Sequence, residues 1–168
     1  KVLPAGFRYR RLKDITGGKS LTVGLTWGLC CGLFPATLLG LPWDRAAWLV
    51  AAWTGLRLFI NTIFFDLGDV VGDRAEGTVT IPVALGFRRT RRALVVLTLL
   101  AWAGATAATV VGWLPPRAHV VHLVALLELG YLSRARAEDA DFSFACDVVA
   151  DGVGLFAAAL AGLALVAE

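Results

Sequence analysis

Apolar residues in this chain come in runs long enough to cross a lipid bilayer, and nothing else in the sequence limits the possible folds so strongly. A helix rising 1.5 Å per residue needs about 20 apolar residues to cross a hydrocarbon core of ~30 Å. Apolar segments cover about 21–41, 46–65, 93–113, 119–132 and 146–166. Inside lipid no water satisfies backbone N–H and C=O groups, so each segment must be helical. The expected fold class is therefore all-α: a polytopic transmembrane helical bundle of about five spans, one domain over 1–168. Composition agrees, with 58% hydrophobic residues, 17% charged and a mean hydropathy of +0.71. Soluble domains run nearer half apolar and a quarter charged.

The loops carry the charge. Lys and Arg number 6 in residues 1–19, 5 between spans two and three, and 2 between spans four and five. The opposite loops hold only Arg45 and Arg117. Thirteen cations against two place the basic segment 1–19 and the loop 66–92 on the cytoplasmic side, in a bacterial-type cytoplasmic membrane. Trp43, Trp48, Trp113 and Tyr131 stand near predicted span ends, as an interfacial aromatic belt requires. The basic start has two compatible readings: an anchor on anionic lipid, and a cationic wall for a pyrophosphate. Nucleic acid is excluded as a partner, because spans interrupt the cations and no binding motif is present. Cys30 and Cys31 are adjacent and Cys146 is remote, so no disulfide framework is implied.

One polar stretch follows the second span: Asn61 to Gly86, NTIFFDLGDVVGDRAEGTVTIPVALG. Asp66, Asp69 and Asp73 sit at i, i+3 and i+7, within about 60° on one continuous helix that Gly77 ends. Three carboxylates so close repel unless a cation lies among them. With no Cys or His beside them they suit a hard, oxygen-seeking ion such as Mg²⁺, which keeps waters and takes further ligands from phosphates. The plain alternative is a solvated helix end. Thr78 to Pro82 should be extended, since a residue before proline avoids the α region.

Polar residues within spans are costly and so informative. Arg57 either snorkels to the interface or points into the bundle as a counter-charge, with Asn61 one turn beyond; both are candidates for substrate contact. Glu128, Asp147 and Asp151 read most simply as buried contacts between helices. His119 and His122, with no third ligand nearby, read as interfacial.

The string FDLGDVVGDRAEGTVTIPVALG resembles the second aspartate-rich motif of the UbiA-type intramembrane prenyltransferases: D-x-x-D-x-x-x-D, a Gly, T-x-P and a closing L-G. Here these are Asp66, Asp69, Asp73, Gly77, Thr80-Ile81-Pro82 and Leu85-Gly86. Tyr9-Arg10-Arg11-Leu12-Lys13 is similar to the family's Tyr…Lys element, and Asp151-Gly152 to a feature of its last span. The resemblance implies nine helices around a cavity, of which this chain supplies the last five. It also implies Mg²⁺-dependent transfer of a prenyl group from an isoprenoid pyrophosphate to an aromatic, quinone-precursor or other lipid acceptor. Asp66, Asp69 and Asp73 would hold Mg²⁺, Lys13 would contact the pyrophosphate, and Tyr9 would lie at the same mouth. The family's first motif, N-D-x-x-D-x-x-x-D, is absent, and the chain begins at Lys1 without a Met. The expectation is thus the C-terminal part of such an enzyme, inactive alone and binding Mg²⁺ weakly, with the N-terminal half as its missing partner. A CDP-alcohol phosphotransferase would need D-G-x-x-A-R, and a soluble prenyl synthase D-D-x-x-D; neither occurs. The alternative of another class is a non-enzymatic membrane subunit or transporter fragment.

Overall fold

The computed structural model describes residues 15–116, 118 and 122–134. These form α1 (Gly18–Leu38), α2 (Arg45–Gly68), α3 (Val70–Ala75), α4 (Ile81–Leu85), α5 (Phe87–Val110) and α6 (His122–Arg134), with no strand among the described residues. The chain is a helical bundle, as its apolar runs require. Among the described residues three helices are long and apolar enough to cross a membrane: α1, α2 and α5, with 21, 24 and 24 residues and mean hydropathies of 1.5, 1.4 and 2.0. The fourth expected span is α6, whose apolar part, Val124–Ser133, is shorter. The fifth, at 146–166, lies outside the described residues, as do Cys146, Asp147 and Asp151. Leu21, Leu25, Trp27, Leu29 and Phe34 all point outward from α1, as they should when the surrounding solvent is hydrocarbon.

Small residues let α1 and α2 approach closely. Gly24, Gly28 and Gly32 are buried on one face of α1 against Ala51 and Gly55 of α2. A Cβ on Gly28 would stand 2.6 Å from the Ala51 carbonyl oxygen. In lipid, where apolar burial gives no net drive between helices, such backbone proximity supplies dispersion contact instead. The hairpin turns at Asp44, whose side chain caps α2 by accepting from the Ala47 N–H at 2.9 Å. At the same end Arg45 lies over the Trp113 ring, 4.6 Å from its centroid, tying α2 to the segment after α5. The core is a cluster of Ile60, Ile63, Phe64 and Leu67 from α2, Leu94 from α5 and Leu132 from α6. The Phe64 and Tyr131 rings meet with centroids 4.6 Å apart.

Two boundaries differ from the sequence reading. The arginine cluster Arg88, Arg89, Arg91 and Arg92 lies within α5, which begins at Phe87 rather than near Ala93. Arginine is a good helix former, and Gly86 at φ 80° turns the chain straight into the helix. The second difference touches the acidic stripe. The expected single helix through Asp73 is interrupted: α2 stops at Gly68, Asp69 takes φ −107° and ψ 21°, and α3 restarts at Val70. Gly77 does end the segment, as expected. At φ 70° it allows the Thr78 N–H to reach the Asp73 carbonyl at 2.8 Å and its own N–H to reach Arg74 at 3.2 Å, closing the last turn. Only Thr78–Thr80 is non-helical, because Pro82 enters the first turn of α4, where its missing N–H costs nothing.

Candidate active site

The break after α2 separates the three aspartates. Asp66, in the last turn of α2, is buried at 4% exposure. Its Oδ1 accepts from Lys19 Nζ at 3.2 Å and its Oδ2 from Ser20 Oγ at 3.4 Å. Both donors belong to the first turn of α1, so this carboxylate ties the start of one membrane-length helix to the end of the next. Asp73, on α3, is half-buried; its Oδ2 accepts from Thr80 Oγ1 at 2.8 Å. Thr80 is itself buried, held between α3 and α4. Asp69 is exposed at the break, its carboxylate folded against Gly72 where any Cβ would collide with it.

Asp66 and Asp73 open into one cavity of about 190 Å³. Its other walls are the first turn of α1, with Lys19 and Ser20, and the connection from Glu76 to Thr80. Asp69 is not among its described lining residues. Nor do three His, Cys, Asp or Glu side chains converge as a metal cage among the described residues. The structure thus brings two of the three predicted carboxylates together. A donor set of carboxylate and hydroxyl oxygens, without sulfur or imidazole, fits a hard cation that completes its shell with water and phosphate. Lys13 and Tyr9 lie outside the described residues.

Arg57 is an ion-pair partner. Its guanidinium pairs with Glu128 of α6, a side chain 1% exposed. Thr98 of α5 donates to the same carboxylate at 3.5 Å, and the Trp53 ring flanks the guanidinium at 5.7 Å. Three helices therefore share one buried polar contact, the reading given above to Glu128. Nine residues before Asp66, Arg57 is about 13 Å from it along the helix axis and does not line the described cavity. Asn61, half-buried, lies between the two levels. A larger groove of about 450 Å³ between α1 and α2 is lined by residues such as Leu25, Leu29 and Phe59, with no ionisable side chain among its described lining residues.

The family model described as UbiA prenyltransferase family matches residues 2–160. The chain belongs to the UbiA prenyltransferase family. No curated protein and no solved structure matches it. UbiA proteins are membrane prenyltransferases, and the three membrane-length helices mark this one as an integral membrane protein. Within that family identity, the sequence reading passed over Ser20 and Glu76 at the cavity and gave two others no role there. Lys19 was counted only as one of six basic residues, and Thr80 only as a motif letter. The available signal was position: Lys19-Ser20 opens a span, and Thr80 stands seven residues after Asp73 across a glycine turn.

Proposed function

We propose that this protein transfers a prenyl group from an isoprenoid diphosphate to an acceptor within the membrane, with Mg²⁺ held at the cavity by Asp66 and Asp73. The observation that carries this reading is the meeting of two carboxylates from separate helices in one cavity at the end of a membrane-length helix. The ion, when bound, supplies positive charge against the departing diphosphate. Ser20 and Thr80 hold the two carboxylates in place, and Asp69 adds a third negative charge at the helix break. By the family resemblance Lys13 and Tyr9 contact the diphosphate. Of the candidates lower on α2, Asn61 remains a polar contact for substrate. Arg57, already holding Glu128, serves by fixing α2 beneath the site. The apolar helices take the isoprenoid tail and keep water from the allylic cation. Aromatic compounds, quinone precursors and other lipids all satisfy the acceptor's role. The loop 66–92 faces the cytoplasm in this reading, on the side its cations favour.

The test is Asp73→Asn in the full-length enzyme, assayed by transfer of a labelled isoprenoid diphosphate, with thermal unfolding measured on the same samples. A half-buried acid with one hydroxyl partner contributes modestly to folding. Its charge at a metal facing a leaving group acts chiefly in the transition state. The expected loss is at least ~10²-fold in kcat, or about 3 kcal/mol, with little change in unfolding. Near-normal turnover would return the aspartates to a solvated helix end, whereas no transfer by the unmutated protein would favour a non-enzymatic membrane subunit.

A further inference from the structure

We infer that Lys19 is a diphosphate-positioning residue of this cavity: it neutralises Asp66 when no metal is bound and turns to a phosphate oxygen when a metal diphosphate enters. The inference rests on the reading of the cavity given above. Asp66 and Lys19 are 47 residues apart in sequence and meet only because α1 begins where α2 ends. Their exposures are unequal: the Lys19 side chain is 59% exposed, the Asp66 side chain 6%. The carboxylate is fixed, with Ser20 on its second oxygen, while the ammonium stands at the open mouth. A carboxylate this buried is costly without a cation, so an empty site needs one. Lysine suits exchange, because its compact charge rides on a flexible four-carbon stem and binds phosphate as a point charge. The backbone beneath it is held. Gly17, at φ 76°, packs so closely that a Cβ there would lie 3.0 Å from Ile81 Cδ1 of α4, pinning the first turn of α1 over the cavity. That turn also presents the positive end of a 21-residue helix, which favours the same anion.

This arrangement predicts effects of opposite sign from one substitution. Lys19 competes with Mg²⁺ alone for Asp66 but assists Mg²⁺ with diphosphate. Calorimetric titration of the detergent-solubilised full-length protein reads both, first with Mg²⁺ alone and then with inorganic pyrophosphate at fixed Mg²⁺. Lys19→Gln should bind Mg²⁺ alone several-fold more tightly and Mg²⁺-pyrophosphate about tenfold more weakly. Lys19→Arg, which keeps the charge, should restore pyrophosphate binding. A merely structural role would weaken both or neither, and either result overturns the inference. Asp73→Asn separates the two levels of the reading. If it leaves Mg²⁺-pyrophosphate binding unchanged, the cavity reading falls and Lys19 with it. If it weakens that binding while Lys19→Gln shifts neither titration, the Lys19 assignment alone falls.

Discussion

Thr80 acts through Asp73. Its hydroxyl donates at 2.8 Å to Asp73 Oδ2, and both residues line the cavity, so it helps to fix how that carboxylate is held there. Thr80→Val keeps the shape and removes the donor. Residues that orient a ligand in this way typically cost 10–100-fold in metal affinity or activity when lost. We expect about a tenfold rise in the Mg²⁺ concentration giving half-maximal rate, with Thr80→Ser close to wild type and thermal stability within ~1 kcal/mol. A plot of rate against Mg²⁺ for the three proteins checks it; an unchanged Mg²⁺ requirement would make Thr80 a simple turn residue. Asp66 and Asp73 stand out in the sequence by type and spacing, whereas Glu76, which also lines the cavity, does not. Nor do the partners of Asp66, because Lys19 and Ser20 reach it only through the packing of α1 on α2.

At the scale of elements, the length of the apolar runs located the long helices, and the spacing of the aspartates missed the break between α2 and α3. Asp69 and Gly68 explain the miss. Both have poor helix propensity, yet a spacing of i, i+3, i+7 reads as continuous whether or not one residue between leaves the helix. The consequence is chemical: Asp69 faces outward while Asp66 and Asp73 share a cavity. The α1–α2 contact was equally invisible to hydropathy, which scores glycine as neutral and says nothing of which face it lines. That contact carries its own prediction. Gly28→Leu puts a side chain where the Ala51 carbonyl and Gly55 backbone already stand, and backbone cannot move aside as a rotamer can. Overpacking of this kind costs 1–3 kcal/mol or more. Gly104, on α5 with open space at its Cβ, is the matched site, and Gly104→Leu should cost far less. Unfolding of both variants in mixed micelles would compare them; equal stabilities would mean that α1 and α2 do not depend on close approach.

At the scale of the whole molecule, the hairpin α1–α2 begins and ends at the same face as the cavity, and its turn lies at the other. We propose that the cavity face is the cytoplasmic one, on the strength of the cation count. With the native cysteines replaced, Thr78→Cys should resist a membrane-impermeant thiol reagent in intact cells, and Trp43→Cys should react. Labelling of Thr78→Cys from outside would invert the orientation. The pair between Arg57 and Glu128 bears on how this molecule comes to be inserted at all. Arg57 is near the middle of α2, and a ribosome delivers it some 70 residues before Glu128 exists. An arginine at the centre of an inserting helix costs about 2.5–3.5 kcal/mol on insertion scales. Until α6 arrives, α2 must therefore reside in the bilayer on the strength of its leucines, phenylalanines and tryptophans, before the acid that Arg57 meets in the folded chain has been made. Completion of α6 supplies Glu128, so part of that cost is offset only by a helix made well after the one that bears it.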